Sequence, residues 1–203
     1  MDQKNDGETG LKTACLRAAR ETIAERGLEH LSLREVARRL GVSHQAPYRH
    51  FPSRDHLLAE VIRECFQDFA RFLDNREKQE GPQQDLNCLG SRYLQFALER
   101  PLEYRLMFST PWPAQAEEVG LVQDALHAFN ILRTDLKSIH GNAPAARAQV
   151  DLDAMLIWST MHGLSSILQS STMAHMDLAK GVQEQVPAYV MERVRAMLQA
   201  GKA

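Results

Sequence analysis

At 203 residues the chain can hold one or two domains with a substantial core, and 44% hydrophobic against 25% charged residues is the balance of a globular protein rather than a disordered one. The formal charge of −2 hides an asymmetry: through His56, ten Lys and Arg meet eight Asp and Glu, and four of the eight histidines fall there, but so slight a basic surplus leaves any nucleic-acid reading to a motif. Cys15, Cys65 and Cys88 are widely spaced, which argues against a disulfide framework or zinc site, and no apolar run approaches the roughly 20 residues that cross a bilayer. With the polar, acidic start MDQKNDGETG, the expectation is a cytoplasmic protein with reduced thiols, no membrane, no metal and no cofactor.

Residues 1 to about 8 have nothing to bury and are expected to be disordered. From about Gly10 to Arg26, Leu11, Cys15, Leu16, Ala19 and Ile23 recur at helical spacing, and Gly27 ends the run. Ser32 and Glu35 spell a capping box, in which the serine hydroxyl accepts from the third helical amide and the glutamate reaches back to the serine amide; a helix should start at Leu33. Val36, Ala37 and Leu40 supply its inward face, and Gly41 suits a left-handed end. Val42 is apolar inside the turn and suited to plug it, and Ser43 caps a second helix to about His50. Two helices joined through a short glycine-containing turn make a helix-turn-helix over residues 32–51.

The second of these helices carries Ser43, His44, Gln45, Ala46, Tyr48, Arg49 and His50 outward, with only Pro47 and Phe51 pointing in. Such a face suits a DNA groove. Gln45 can bond an adenine edge twice, His44 can donate to a guanine edge, and Ala46 can pack on a thymine methyl. Tyr48, Arg49, His50 and Arg54 offer donors for phosphates, and the amides at Ser32 and Leu33 add partial positive charge. The run Gly41-Val42-Ser43, Ala46, Tyr48-Arg49-His50-Phe51, Arg54 and Leu57-Leu58 closely resembles the DNA-binding domain of the tetracycline-repressor (TetR) family of transcriptional regulators. Pro47 departs from the leucine more common there; it removes the bond back to Ser43 and disfavours helical angles at Ala46, so both His44 and Gln45 stay as readers.

Beyond Pro52, Ser53 should cap a long helix of about 25 residues, roughly 37 Å, ending near Gly81-Pro82. Further helices are expected over about 85–99, over PLEYRLMF from Pro101, and over about 119–140 with Val122, Leu126, Phe129, Leu132 and Leu136 on one side. Pro111-Trp112-Pro113 reads as a rigid loop, and Gly141 as a stop. The last two long helices are expected over about 144–170 and 183–199, with Pro187 tolerable only in a first turn. The fold class is all-α, about nine helices, divided into a DNA-binding domain at 9–56 and a ligand-binding and dimerisation domain at 57–203.

No glycine-rich phosphate loop, H-E-x-x-H or G-x-S-x-G occurs, so an enzyme is not expected. PLEYRLMF and Trp158-Ser159-Thr160-Met161-His162-Gly163 resemble the Trp-His-Gly class of TetR C-terminal domains. Trp158 and His162 stand one turn apart and share a face, either as part of a ligand cavity or as a core tryptophan on a satisfied histidine, and Gly163 allows close helix approach. Tyr104, Met107, Phe108, Trp112, Phe129 and Met155 add aromatic and sulfur surface suited to a flat or greasy effector. The resemblance implies a homodimer through the last two long helices, a palindromic DNA site and a repressor released by a small hydrophobic or aromatic molecule; an activator or a ligand-independent regulator is the alternative, and a helical interaction protein or an enzyme on a helical scaffold stands behind it.

Overall fold

Residues 3–200 are described by a computed structural model, and they form eight α-helices, with no strand among them. These are α1 (Gln3–Arg26), α2 (Leu33–Leu40), α3 (Arg54–Asp74), α4 (Pro82–Glu99), α5 (Pro101–Phe108), α6 (Leu121–His140), α7 (Arg147–Leu168) and α8 (Val182–Ala200). The all-α expectation holds, with one helix fewer because the segment after Ser43 is not an α-helix. Helix α1 starts at Gln3, well ahead of Gly10, so residues 3–8, expected to be disordered, are helical although Asn, Asp and Gly there favour helix little; residues 1 and 2 lie outside the described residues.

The chain groups into two compact units. The first takes the chain through Asp68 together with Arg105–Leu126, and the second takes Phe69–Tyr104 and the described chain from His127. In the first, Cys15, Leu16, Ile23, Leu31, Leu33, Val36, Phe51, Leu57, Val61 and Ile62 make a dry core under α1, α2 and the start of α3. Around it, Lys12 pairs with Glu60 at 2.7 Å and Arg20 with Asp68 at 2.9 Å, tying α1 to α3. Both buried cysteines of this unit, Cys15 and Cys65, belong to that packing, and burial raises the Cys15 thiol.

Helix α3 is capped as expected, the His56 amide donating to Ser53 Oγ at 3.1 Å. It stops at Asp74 after 21 residues, about 32 Å, short of Gly81-Pro82. The chain turns there because Arg76 goes inward: its side chain is 2% exposed, donates to the Leu73 carbonyl and forks onto Asp135 at 2.7 and 2.6 Å. That pair also resets the register of α6. Ile131, Asp135, Leu136 and Ala128 are buried, whereas Leu126, expected inward, is 54% exposed.

In the second unit α4 packs on α7 and α8. The close approach is at Gly90 of α4, where an added Cβ would run into the end of the Met191 side chain; at Gly163, the expected contact glycine, such a Cβ meets nothing within 4 Å. Helix α7 buries Val150, Ala154, Ile157, Met161, Leu164 and Ser165. Pro187 is the sixth residue of α8, beyond the first turn, and the helix continues past it.

Candidate nucleic-acid interface and aromatic cluster

Helix α2 is built by its ends. Ser32, extended at φ −153° and ψ 153°, accepts the Glu35 amide at 3.1 Å. At the other end Gly41 is left-handed at φ 67°, and the bonds Gly41 to Arg38 (3.3 Å) and Val42 to Ala37 (3.1 Å) close a Schellman motif. The glutamate half of the capping box turns elsewhere: the Glu35 carboxylate takes Arg38 at 2.8 and 2.6 Å and Arg26 at 3.1 Å. Hydrogen bonding from Arg38, and its charge with those of Arg26 and Arg39, hold the Glu35 carboxyl down at about 2. Arg39 grips Glu25 of α1 in the same way, so α1 and α2 are laced by exposed ion pairs.

The reading segment differs from expectation. Pro47–Arg49 is a 3-10 turn, preceded by hydrogen-bonded turns from His44. The Ala46 amide donates to Ser43 (2.9 Å), Arg49 to Ala46 (3.3 Å) and His50 to Pro47 (3.0 Å), each three residues back; only Phe51 to Pro47, at 2.9 Å, reaches four. Pro47 has no N–H to complete the α bond to Ser43, although Ala46 keeps helical angles of φ −60° and ψ −46°. Pro47 and Phe51 are buried, as the spacing requires, while Ser43, His44, Gln45, Tyr48 and Arg49 are exposed and Ala46 and His50 half-buried. The Nε2 atom of His50 is enclosed without a hydrogen-bond partner. Val42, expected to plug the turn, is exposed: the Schellman closure turns it outward, and the core is filled by Leu33, Val36 and Phe51.

Two expected contact residues are drawn into the head itself. Leu33 has its side chain in the core, which leaves only its amide at the helix start. Arg54 donates from Nε to the Leu31 carbonyl (3.0 Å) and from Nη2 to the Leu28 carbonyl (2.9 Å), bracing the link between α1 and α2. These two carbonyls belong to the short 3-10 turn Leu28–His30 and its end at Leu31, and the spacing alone gave no sign that Arg54 would reach them. Ser32 is half-buried under its capping bond.

The aromatic residues expected to form one wall fall into two sets. In the first unit Phe66 meets Phe108 and Trp112 edge-on, each at 5.6 Å between centroids, and the Trp112 indole donates to the Met107 carbonyl at 3.1 Å. In the second, Tyr104 Oη lies 2.7 Å from His162 Nδ1 and 2.9 Å from Tyr93 Oη, while Trp158 packs edge-on to Phe129 at 5.7 Å. Met155 stands apart, 51% exposed on α7. Burial, reinforced by Tyr104, holds the Tyr93 phenol far above its ordinary range, and burial likewise raises Tyr104 and lowers His162. Both phenols therefore keep their protons at neutral pH, and with His162 they form one hydrogen-bonded chain, Tyr93–Tyr104–His162. Tyr93 was not among the expected residues; a tyrosine on the inward stripe of α4 needs a partner for its hydroxyl, and that was the available signal.

Among the described residues no group of His, Cys, Asp and Glu is arranged to hold a metal ion, and no helix is long and apolar enough to cross a membrane. The family described as "Bacterial regulatory proteins, tetR family" matches residues 16–61, and that described as "Tetracyclin repressor-like, C-terminal domain" matches residues 86–198. Over 116 residues the chain is 25% identical to the HTH-type transcriptional regulator Rv1816 of Mycobacterium tuberculosis, covering 56% of this chain and 50% of that one. It thus spans about half the length of the curated relatives it matches. A protein of unknown function from Rhodococcus sp. RHA1 superposes with a TM-score of 0.69 at 23% identity over 94% of each chain. A regulatory protein in the tetR family from Rhodococcus RHA1 does so with a TM-score of 0.64 at 16% identity, over 93% of this chain and 96% of its own. At these identities the two structures speak for a shared fold.

Proposed function

The chain belongs to the TetR family of DNA-binding transcriptional regulators and is not an enzyme, and on that premise we propose that it represses transcription as a homodimer on a palindromic operator until a small molecule releases it. The observation that carries the DNA reading is the exposed run of Ser43, His44, Gln45, Tyr48 and Arg49 standing on buried Pro47 and Phe51. Side chains of those types match base edges and phosphates. In this reading residues 9–56 bind DNA, and residues 57–203 bind the effector and the second copy, in the cytoplasm.

A second copy is supported by α7. Leu152 (65% exposed), Met155, Leu156, Ser159, Gly163 and Ile167 fall on one stripe at helical spacing, opposite the buried face. Small residues at its centre and apolar ones at its ends suit a helix packed against its own copy. Tyr189 and Met197 extend exposed apolar surface on α8. Two-fold pairing would present two reading segments to one palindrome. An effector that binds better to a form with another separation of the segments lowers operator affinity. Trp158, Phe129, Tyr104 and His162 are the aromatic and polar groups offered to it.

The test is a gel shift of the full chain with a palindrome selected from random duplexes, at several salt concentrations and then with flat aromatic and fatty candidate effectors. Selective, salt-dependent binding that one compound class abolishes is the expected result. Binding indifferent to sequence would overturn the regulator reading, and selective binding reversed by no compound would leave a ligand-independent regulator.

A further inference from the structure

We propose that Pro47 fixes the reading segment in a 3-10 path, and that this path makes Gln45, beside Ala46, the base reader while His44 serves the DNA backbone. The inference rests on the proposed DNA-binding role of the segment. Its physical basis is the bonding already described: the Ser43 carbonyl, which an α-helix would give to residue 47, is taken by the Ala46 amide at 2.9 Å, and Arg49 and His50 also bond three residues back. Proline cannot compete for that carbonyl.

A 3-10 path has three residues per turn and rises about 2.0 Å per residue, against 3.6 and 1.5 Å for an α-helix. Carried back from Pro47–Arg49 through the turn at 44–46, where the Ala46 to Ser43 bond has the same three-residue span, such a path eclipses side chains in three rows. His44, Pro47 and His50 form the first, Gln45 and Tyr48 the second, Ala46 and Arg49 the third. Burial sets the phase: Pro47 is in the core and His50 Nε2 is enclosed, so the first row faces the protein. His44 stands at the open end of that row, in the turn ahead of Pro47, where it is exposed and clear of the core. The two outward rows carry Gln45 and Ala46 first, with Tyr48 and Arg49 a turn behind them.

The chemistry follows from the rows. Gln45 offers the amide pair that matches adenine N6 and N7, and Ala46 the methyl that packs on thymine, so the reading is of A·T pairs, with Tyr48 and Arg49 holding phosphates. With α pitch, Gln45 and Arg49, four apart, would instead share the outermost row. An arginine there reads guanine. Pro47 therefore decides which of two base patterns the same side chains select.

The experiment selects duplexes from a pool with two inverted, randomised half-sites, using the full chain and its His44→Ala, Gln45→Ala, Pro47→Ala and Pro47→Leu variants, each checked for its unfolding transition. The parent should fix an A·T pair at one position per half-site. Gln45→Ala should lower the preference there by about tenfold or more. His44→Ala should weaken all duplexes alike and leave the pattern intact, and at least one folded Pro47 variant should gain a guanine preference. A pattern lost on His44→Ala but kept on Gln45→Ala, or folded Pro47 variants that select the parent's half-site unchanged, overturns the inference while the regulator reading stands. A parent that enriches no sequence overturns both.

Discussion

The two units differ most in the polar groups they bury and in the apolar stripe that one of them exposes. The first closes over an apolar core, with the part-buried Lys12–Glu60 and Arg20–Asp68 pairs at its edge and Arg38–Glu35 and Arg39–Glu25 on the outside. The second buries polar groups, the Arg76–Asp135 pair and the Tyr93–Tyr104–His162 chain, and leaves Leu152, Met155, Leu156, Ile167, Tyr189 and Met197 in water. A unit that only had to be stable would not arrange itself so: exposed apolar area forgoes about 25 cal/mol per Å². The difference supports the proposed reading of the α7 and α8 stripe as the face that takes a second copy.

The largest effect should come from charging that uncovered stripe. Leu152→Glu with Ile167→Glu is expected to give a folded monomer by light scattering and to weaken operator binding by about 100-fold or more, because the avidity of two linked heads is lost. A dimer that survives both charges would erase the contrast between the units. Next comes the buried pair. Asp135→Ala leaves the Arg76 guanidinium charged in the interior and should destabilise the protein by about 3–5 kcal/mol in denaturant unfolding, whereas Arg76→Met with Asp135→Leu should recover most of it. Burial keeps the Asp135 carboxyl raised even against Arg76 and Lys78.

In the first unit, Arg54→Ala removes the bonds to Leu28 and Leu31 and should destabilise it by about 1–2 kcal/mol, visible as earlier proteolysis of α1 and α2. An unchanged unfolding curve, with DNA affinity alone reduced, would return Arg54 to the phosphates. The smallest effect is a pH dependence. His162 is lowered from 6.5, so the unfolded chain takes the proton more readily; stability present above about 6.5 falls as the pH drops through the folded value. His162→Gln should flatten the difference in melting temperature between pH 7.5 and 5.5, and an equal difference in both proteins would count against the role of His162.

Much of this was legible in the residues. The Ser32 cap, the Gly41 end, the inward placement of Pro47 and Phe51 and the bounds of α2 and α5 were set by local chemistry within a few residues, and such chemistry is written in order along the chain. What escaped reading was decided at a distance or by a single backbone group. The missing N–H of Pro47 replaced an expected helix with 3-10 turns. Arg76 and Asp135, 59 residues apart, ended α3 early and rotated the inward face of α6, leaving Leu126 outside. Arg54 found carbonyls 23 and 26 residues back, in a short 3-10 turn and its end.

The central claim concerns two reading segments carried at one separation by a paired second unit, and spacing on the DNA tests it most directly. Operator variants with five and with ten base pairs inserted between the half-sites rotate the second by about half a helical turn and a whole one. Affinity should fall steeply, toward that of a single half-site, with the first insertion, which puts the half-sites on opposite faces of the duplex. An affinity that ignores the half-turn insertion would contradict the account.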